Sequence, residues 1–165
     1  MIERSRLELI PTFLMLILLA GCGQGSNTGP GEIHWDRQTC EHCQMVISER
    51  RHAVQVRKLG DRQTHAFDDL GCALLWLEDQ GLLSGQAEGP EIWVKASAAD
   101  DWIDARSAQF ETGLSTPMAY GFGVAENGIA LDQVEAQVLE AERQRRSRSA
   151  NPVGRPEQEK GEILD

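Results

Sequence analysis

Residues 46–80 read VISERRHAVQVRKLGDRQTHAFDDLGCALLWLEDQ, and most of the fold follows from how that stretch divides. Val54 and Val56 alternate with polar neighbours, and Gly60-Asp61 supplies a turn before THAFDD, so the first half predicts a β-hairpin. Asp68 or Asp69 then offers a side-chain cap. Leu70, Leu74 and Leu77 follow at i, i+4 and i+7, which predicts a helix over LGCALLWLEDQ with one apolar face. Gly81 and the turn-rich LLSGQAEGP end that unit.

Toward the C-terminus, Ile92 and Val94 in EIWVKAS alternate with polar positions as a strand requires, and WIDARSAQF continues the pattern into two more strands. STPMAYGFG is turn-rich and GFGVAEN reads as a short strand. DQVEAQVLEAERQRR then places Val134, Val138 and Ala141 on one helical face. A strand-strand-helix-strand rhythm thus occurs twice. It predicts an α+β architecture of two small ββαβ-type modules, at residues 33–90 and 91–146. Residues 147–165 carry few apolar side chains and mixed charge, and are expected to form a disordered tail.

Toward the N-terminus, MIERSRLELIPTF leads into the apolar run LMLILLA and then Gly21-Cys22. A basic-containing start, an apolar stretch of about a dozen residues and a small-residue cleavage site define a secretory signal, here residues 1–21. The stretch falls short of the roughly 20 apolar residues that span a bilayer. Leu19-Ala20-Gly21-Cys22 matches the lipoprotein pattern, in which lipid is attached to the cysteine that becomes residue one of the mature chain. GQGSNTGPGE after it is Gly- and Ser-rich, so residues 22–32 are expected to be a flexible tether to the membrane. Gly23 is not the Asp that retains lipoproteins at the inner membrane. The expected location is therefore the outer membrane, facing the periplasm.

About 110 residues then remain to fold, enough for one compact core or two small modules. The net charge of −10 argues against nucleic acid as a partner and favours cations or a basic protein. With Cys22 consumed by lipid, Cys40, Cys43 and Cys72 remain. Three thiols in an oxidising compartment cannot all pair internally, so one stays free or the set serves metal or redox chemistry.

The segment HWDRQTCEHCQM is too polar and too dense in Cys and His for a buried strand, and reads as a loop. It places two thiols, the imidazole of His42 and the thioether of Met45 within six residues, Cys40 to Met45. Soft sulfur donors select Cu(I), whereas Zn(II) gains little from methionine. Cys43 and Met45, two apart on an extended loop, can point to the same side. Met118, the other methionine of the mature chain, also lies in a turn-rich segment and not on an apolar helical stripe. His65 in THAFDD is a further nitrogen candidate, as are His34, His42 and His52. Cys72, within a helix, reads as a small inert hydrophobe.

Together these motifs resemble the NosL-type copper-binding lipoproteins that assist maturation of nitrous oxide reductase. The resemblance rests on the lipoprotein signal, on Cys40-x-x-Cys43-x-Met45 before a β segment, on His65-Ala66-Phe67-Asp68-Asp69 leading into the helix with Cys72 and Trp76, and on Thr116-Pro117-Met118 before Gly121-Phe122. It implies two ββαβ modules, a near-monomeric state and a protein that is not an enzyme. It also implies one bound Cu(I), handed toward the copper sites of the reductase or to its assembly machinery. By position it implies Cys43 and Met45 as copper ligands, with Met118 and a histidine such as His65 as additions, and it leaves Cys40 open. Two positions depart from the family pattern, which has glycine where this chain has Gln44 and Ala119. If those glycines take a positive φ, each substitution costs about 1 kcal/mol of strain.

Two other readings use the same residues. A C-x-x-C dithiol serves thiol-disulfide oxidoreductases, whose motif sits at a helix N-terminus following a strand. A structural module could hold zinc or a disulfide through Cys40, Cys43 and Cys72 or His65.

Overall fold

The computed structural model describes residues 28–82, 84, 89–96 and 101–150. The expected signal sequence at 1–21, Cys22 and the part of the expected tail beyond Ala150 lie outside the described residues. A short 3-10 turn, Arg50–His52, precedes β1 (Val54–Arg57). There follow β2 (His65–Phe67), α1 (Leu70–Asp79), β3 (Glu91–Lys95), β4 (Trp102–Asp104), β5 (Gln109–Glu111), β6 (Gly123–Ala125) and α2 (Leu131–Ala150). Among the described residues no helix is long and apolar enough to cross a membrane.

The expected hairpin is β1 against β2, antiparallel with Val54 opposite Phe67 and Val56 opposite His65. Gly60 takes a positive φ in its turn, which costs a glycine nothing. All four residues of β1 are buried, including Gln55 and Arg57. This departs from simple alternation because the strand is covered on both faces. α1 packs on one. On the other, the Gln55 side-chain amide accepts from the Gly31 N–H (2.7 Å) and donates to the Gly31 carbonyl (3.0 Å). Arg57 donates to the Gly29 carbonyl (2.8 Å), and its Nε stands 3.6 Å from Glu91, whose carboxylate in turn accepts from the Gly29 N–H. The end of the expected tether is therefore bound to the sheet: flexibility read from Gly content gives way to two buried polar side chains that need backbone partners.

The α+β class read from the sequence is the one observed. Its division differs at one point. β3, expected to open the second module, pairs antiparallel with β1, and β4 pairs with β3, so one sheet of order β2-β1-β3-β4 runs across the boundary at residues 90 and 91. The reason lies in β1, whose second edge would otherwise expose a row of unpaired N–H and C=O groups. β5 and β6 form a separate two-stranded sheet. A single apolar cluster reaches from Ile33 through Phe67, Leu74 and Phe110 to Val138.

In α2, Leu131, Val134 and Val138 are buried and the last turns are exposed. The helix nonetheless continues through residues 147–150, where the tail was expected to begin. Side-chain pairs one turn apart, Arg143 with Glu140 at 3.1 Å and Arg146 with Glu142 at 3.0 Å, support it beyond the core.

Candidate metal centre

The loop from Gln38 to Ile47 is closed by backbone hydrogen bonds from Cys40 N to Met45 O (2.8 Å), Gln44 N to Cys40 O (3.0 Å) and Ile47 N to Gln38 O (2.9 Å). A further bond, from Glu41 N to Ala66 O, ties it to β2. The reversal needs a left-handed residue after Cys43, and Gln44 supplies it at φ 64°. Its side-chain amide donates to the carbonyls of Cys40 and Glu41, offsetting part of the strain. The turn aims backbone N–H groups at sulfur, that of Cys43 at the Cys40 sulfur and that of Met45 at the Cys43 sulfur. An orientation of this kind favours thiolates.

Two consecutive aspartates at the start of α1 connect this loop to the rest of the site. Asp68, buried, accepts from the Cys43 thiol through both carboxylate oxygens at 3.4 Å. Asp69, also buried, caps α1 by accepting from Gly71 N (2.9 Å). Its other oxygen accepts from the Thr116 hydroxyl (2.6 Å) and the Met118 N–H (3.0 Å). The carboxylates lie at the positive end of the helix dipole. Gly71 has no side chain because the Tyr120 ring fills that space, so the loop carrying Met118 lies directly over the first turn of α1.

The result is a group of four potential ligands. One donor atom each from Cys40, Cys43, Asp68 and Cys72 lies within 4.8 Å of all the others. Cys40 and Cys72 are fully buried, Cys43 is partly exposed, and all three are free. The Cys72 thiol donates to the Cys40 sulfur, and with the backbone N–H groups of Cys43 and Asp68 this lowers Cys40 to about 7 against the opposing effect of burial. Burial pushes Cys43 up to about 12, with the neighbouring Cys40 thiolate acting in the same sense. Cys72 is also raised, by the hydrogen bond it gives Cys40 and by burial. One thiol is thus poised as a thiolate while two hold their protons until a cation replaces them.

Of the residues singled out from the sequence, the fold brings Cys40 and Cys43 together. Met45 stands 44% exposed on the same loop beside the exposed Val46. Met118 is partly buried on the loop held by Asp69. His65 is engaged elsewhere, stacked on Trp76 at 4.6 Å between the carboxylates of Glu41 (3.7 Å) and Asp61 (3.5 Å), and is not one of the four converging groups. His34, His42 and His52 are not among them either. Two members are less legible in the sequence: Cys72, which reads first as a small hydrophobe and enters only as an alternative zinc ligand, and Asp68, which reads as a possible helix cap. Their separation of four residues, at the point where a strand enters a helix, was the available signal, since i and i+4 share a helix face.

No protein-family model matches the chain, and no curated protein matches it. Among solved structures the chain is similar to the crystal structure of the copper chaperone NosL from Shewanella denitrificans, at 18% identity and a TM-score of 0.45, over 68% of this chain and 88% of that one. So distant a likeness carries no argument about function.

Proposed function

We propose that the chain is a Cu(I) carrier, a chaperone and not an enzyme. The observation that carries the reading is the convergence of three thiols, with the thioether of Met45 on the same loop. Thiolate and thioether are the donors that favour Cu(I) over harder cations. Cys43 and Met45, both reachable from solvent, form the outer part of the site, where a partner's sulfur or imidazole ligands could replace them one at a time. Cys40 and Cys72 form its buried part. An oxidoreductase of the C-x-x-C type is disfavoured, because Cys40 and Cys43 occupy a loop closed by the Thr39–Val46 bridge and not a helix N-terminus.

The motif resemblance supports a specific acceptor, nitrous oxide reductase or its assembly machinery. The signal pattern at Cys22 supports a lipid anchor facing the periplasm, on the outer membrane. A carrier confined to a membrane surface meets the transporters that load it, and a Gly- and Ser-rich tether lets it reach a partner.

A second reading, a resident zinc, is favoured by one observation: Asp68 completes a three-thiol, one-carboxylate set that suits tetrahedral Zn(II). Competition titrations against coloured Cu(I) and Zn(II) chelators, run anaerobically on wild type, Cys43→Ser, Met45→Ala and Asp68→Asn, separate the two. The carrier reading expects one Cu(I) per chain, with affinity falling about 100-fold in Cys43→Ser and roughly ten-fold in Met45→Ala. Failure of wild type to compete for Cu(I) rejects it. Tight Zn(II) binding that is indifferent to Met45→Ala and lost in Asp68→Asn selects zinc instead.

A further inference from the structure

Two of the three converging thiols, Cys40 and Cys72, are fully buried, and only Cys43 is partly exposed. Cu(I) accepts few ligands, and Cys43 with Met45, exposed on the same loop, would supply two soft donors. Behind them the sulfurs of Cys40 and Cys72 lie within 4.8 Å of each other. All three sulfurs lie within 4.8 Å of one another, so a metal ion on Cys43 is within direct electron-transfer reach of the pair. Neither buried thiol is open to a bulky protein oxidant; a metal ion arriving at Cys43 is the oxidant the geometry admits.

From this arrangement, and resting on the copper reading above, we infer that Cys40 and Cys72 form an electron reserve that reduces Cu(II) arriving at Cys43, so that the chain loads itself with Cu(I). The balance is two electrons. Cys72 loses its proton to solvent, as does Cys40 where it is not already a thiolate, and a sulfur–sulfur bond forms between them as the two electrons leave. Two Cu(II) ions, arriving in succession, each take one electron and become Cu(I). One Cu(I) stays on Cys43 and Met45, and the other leaves. Each chain performs this once. Cys43 is the wrong partner for that cystine. Its sulfur is held by Asp68 and the Met45 N–H on the exposed side of the cluster, and it must stay free to hold copper.

The test adds two equivalents of Cu(II) sulfate to the reduced full chain under anaerobic conditions. The Cu(II) paramagnetic signal is followed, Cu(I) is counted with a coloured chelator, and the cystine is located by peptide mapping. The inference expects both equivalents to lose their signal, a Cys40–Cys72 cystine to appear, and Cys43 to remain alkylatable after copper is stripped. Cys72→Ser is expected to yield roughly ten-fold less Cu(I) from Cu(II) than wild type, and its affinity for Cu(I) supplied as such is measured beside it, so that lost binding and lost reduction are told apart. The idea is overturned if wild type leaves Cu(II) paramagnetic, if the cystine includes Cys43, or if Cys72→Ser reduces Cu(II) as well as wild type does. The first two outcomes come from wild type alone, so they stand even if the variant misfolds. Cu(I) binding without Cu(II) reduction sinks this inference and spares the carrier. Reduction through Cys40–Cys72 without retention of Cu(I) does the reverse.

Discussion

One oxygen of Asp69 accepts the backbone N–H of Met118 at 3.0 Å, across forty-nine positions of sequence. The same carboxylate caps α1 and takes the Thr116 hydroxyl, so a buried side chain fixes the start of the helix bearing Cys72 and the loop bearing Met118. Replacing it with Ala removes an N-cap and leaves two donors without partners. We expect Asp69→Ala to lose about 3 kcal/mol, read as a lower denaturation midpoint at constant slope. Asp69→Asn, which can still cap through its amide oxygen, is expected to lose about half of that. An unchanged midpoint in the Ala variant would mean that the loop is held by something else.

Gln44 and Ala119 stand at φ 64° and 58°. These are the two positions where the resembling family carries glycine, and both lie in the left-handed region that costs an L side chain about 1 kcal/mol. Ala119→Gly is therefore expected to raise stability by about 1 kcal/mol. Gln44→Gly is expected to gain less, because it forfeits the side-chain bonds to the Cys40 and Glu41 carbonyls. Thermal unfolding of the two single variants checks both the sign and the order. A destabilised Ala119→Gly would contradict the strain assigned to that turn.

The hairpin, α1 and α2 were legible in sequence because each is set by local periodicity and a turn or cap: Gly60, Asp69, and the spacing of Leu70, Leu74 and Leu77. What was not legible depended on contacts distant in the chain. Nothing near β3 says that it pairs with β1, and nothing near Cys72 says that its thiol meets Cys40, thirty-two positions earlier. The site divides in the same way. Cys40 and Cys43 share one turn and could be read together, whereas Asp68 and Cys72 join them only through the packing of the loop against β2 and α1. His65, another donor read from the sequence, lies against Trp76 and between two carboxylates, outside the four converging groups.

Gln55 is fully buried, and its amide meets both the N–H and the carbonyl of Gly31. Gln55→Leu keeps the volume but removes both partners, leaving two backbone groups unsatisfied at a cost of about 2 kcal/mol. Residues 28–32 are expected to exchange amide hydrogens much faster in this variant, while α1 and α2 keep their protection. Hydrogen exchange measured by mass spectrometry reads both at once. Equal protection of residues 28–32 in wild type and variant would show that Arg57 and Glu91 hold the segment unaided.

Metal binding should release protons in a number that counts the thiols engaged. Cys40, held down to about 7, is mostly protonated below that pH and mostly ionised above it, whereas Cys43, pushed up to about 12, and Cys72, also raised, stay protonated throughout the neutral range. A metal that binds all three as thiolates displaces three protons below pH 7 and two above it. Its apparent affinity therefore rises with pH, and the slope of log K against pH relaxes from three toward two as pH passes about 7. Binding through Cys43 and Met45 alone displaces one proton, and the slope stays near one on both sides. Cu(I) competition titrations from pH 6 to pH 8.5, with the chelator's own protonation corrected, decide how many thiols take part. A slope of two below pH 7 that falls to one above it would place Cys40 and one other thiol on the metal, and repeating the titration on Cys72→Ser tells whether that thiol is Cys43.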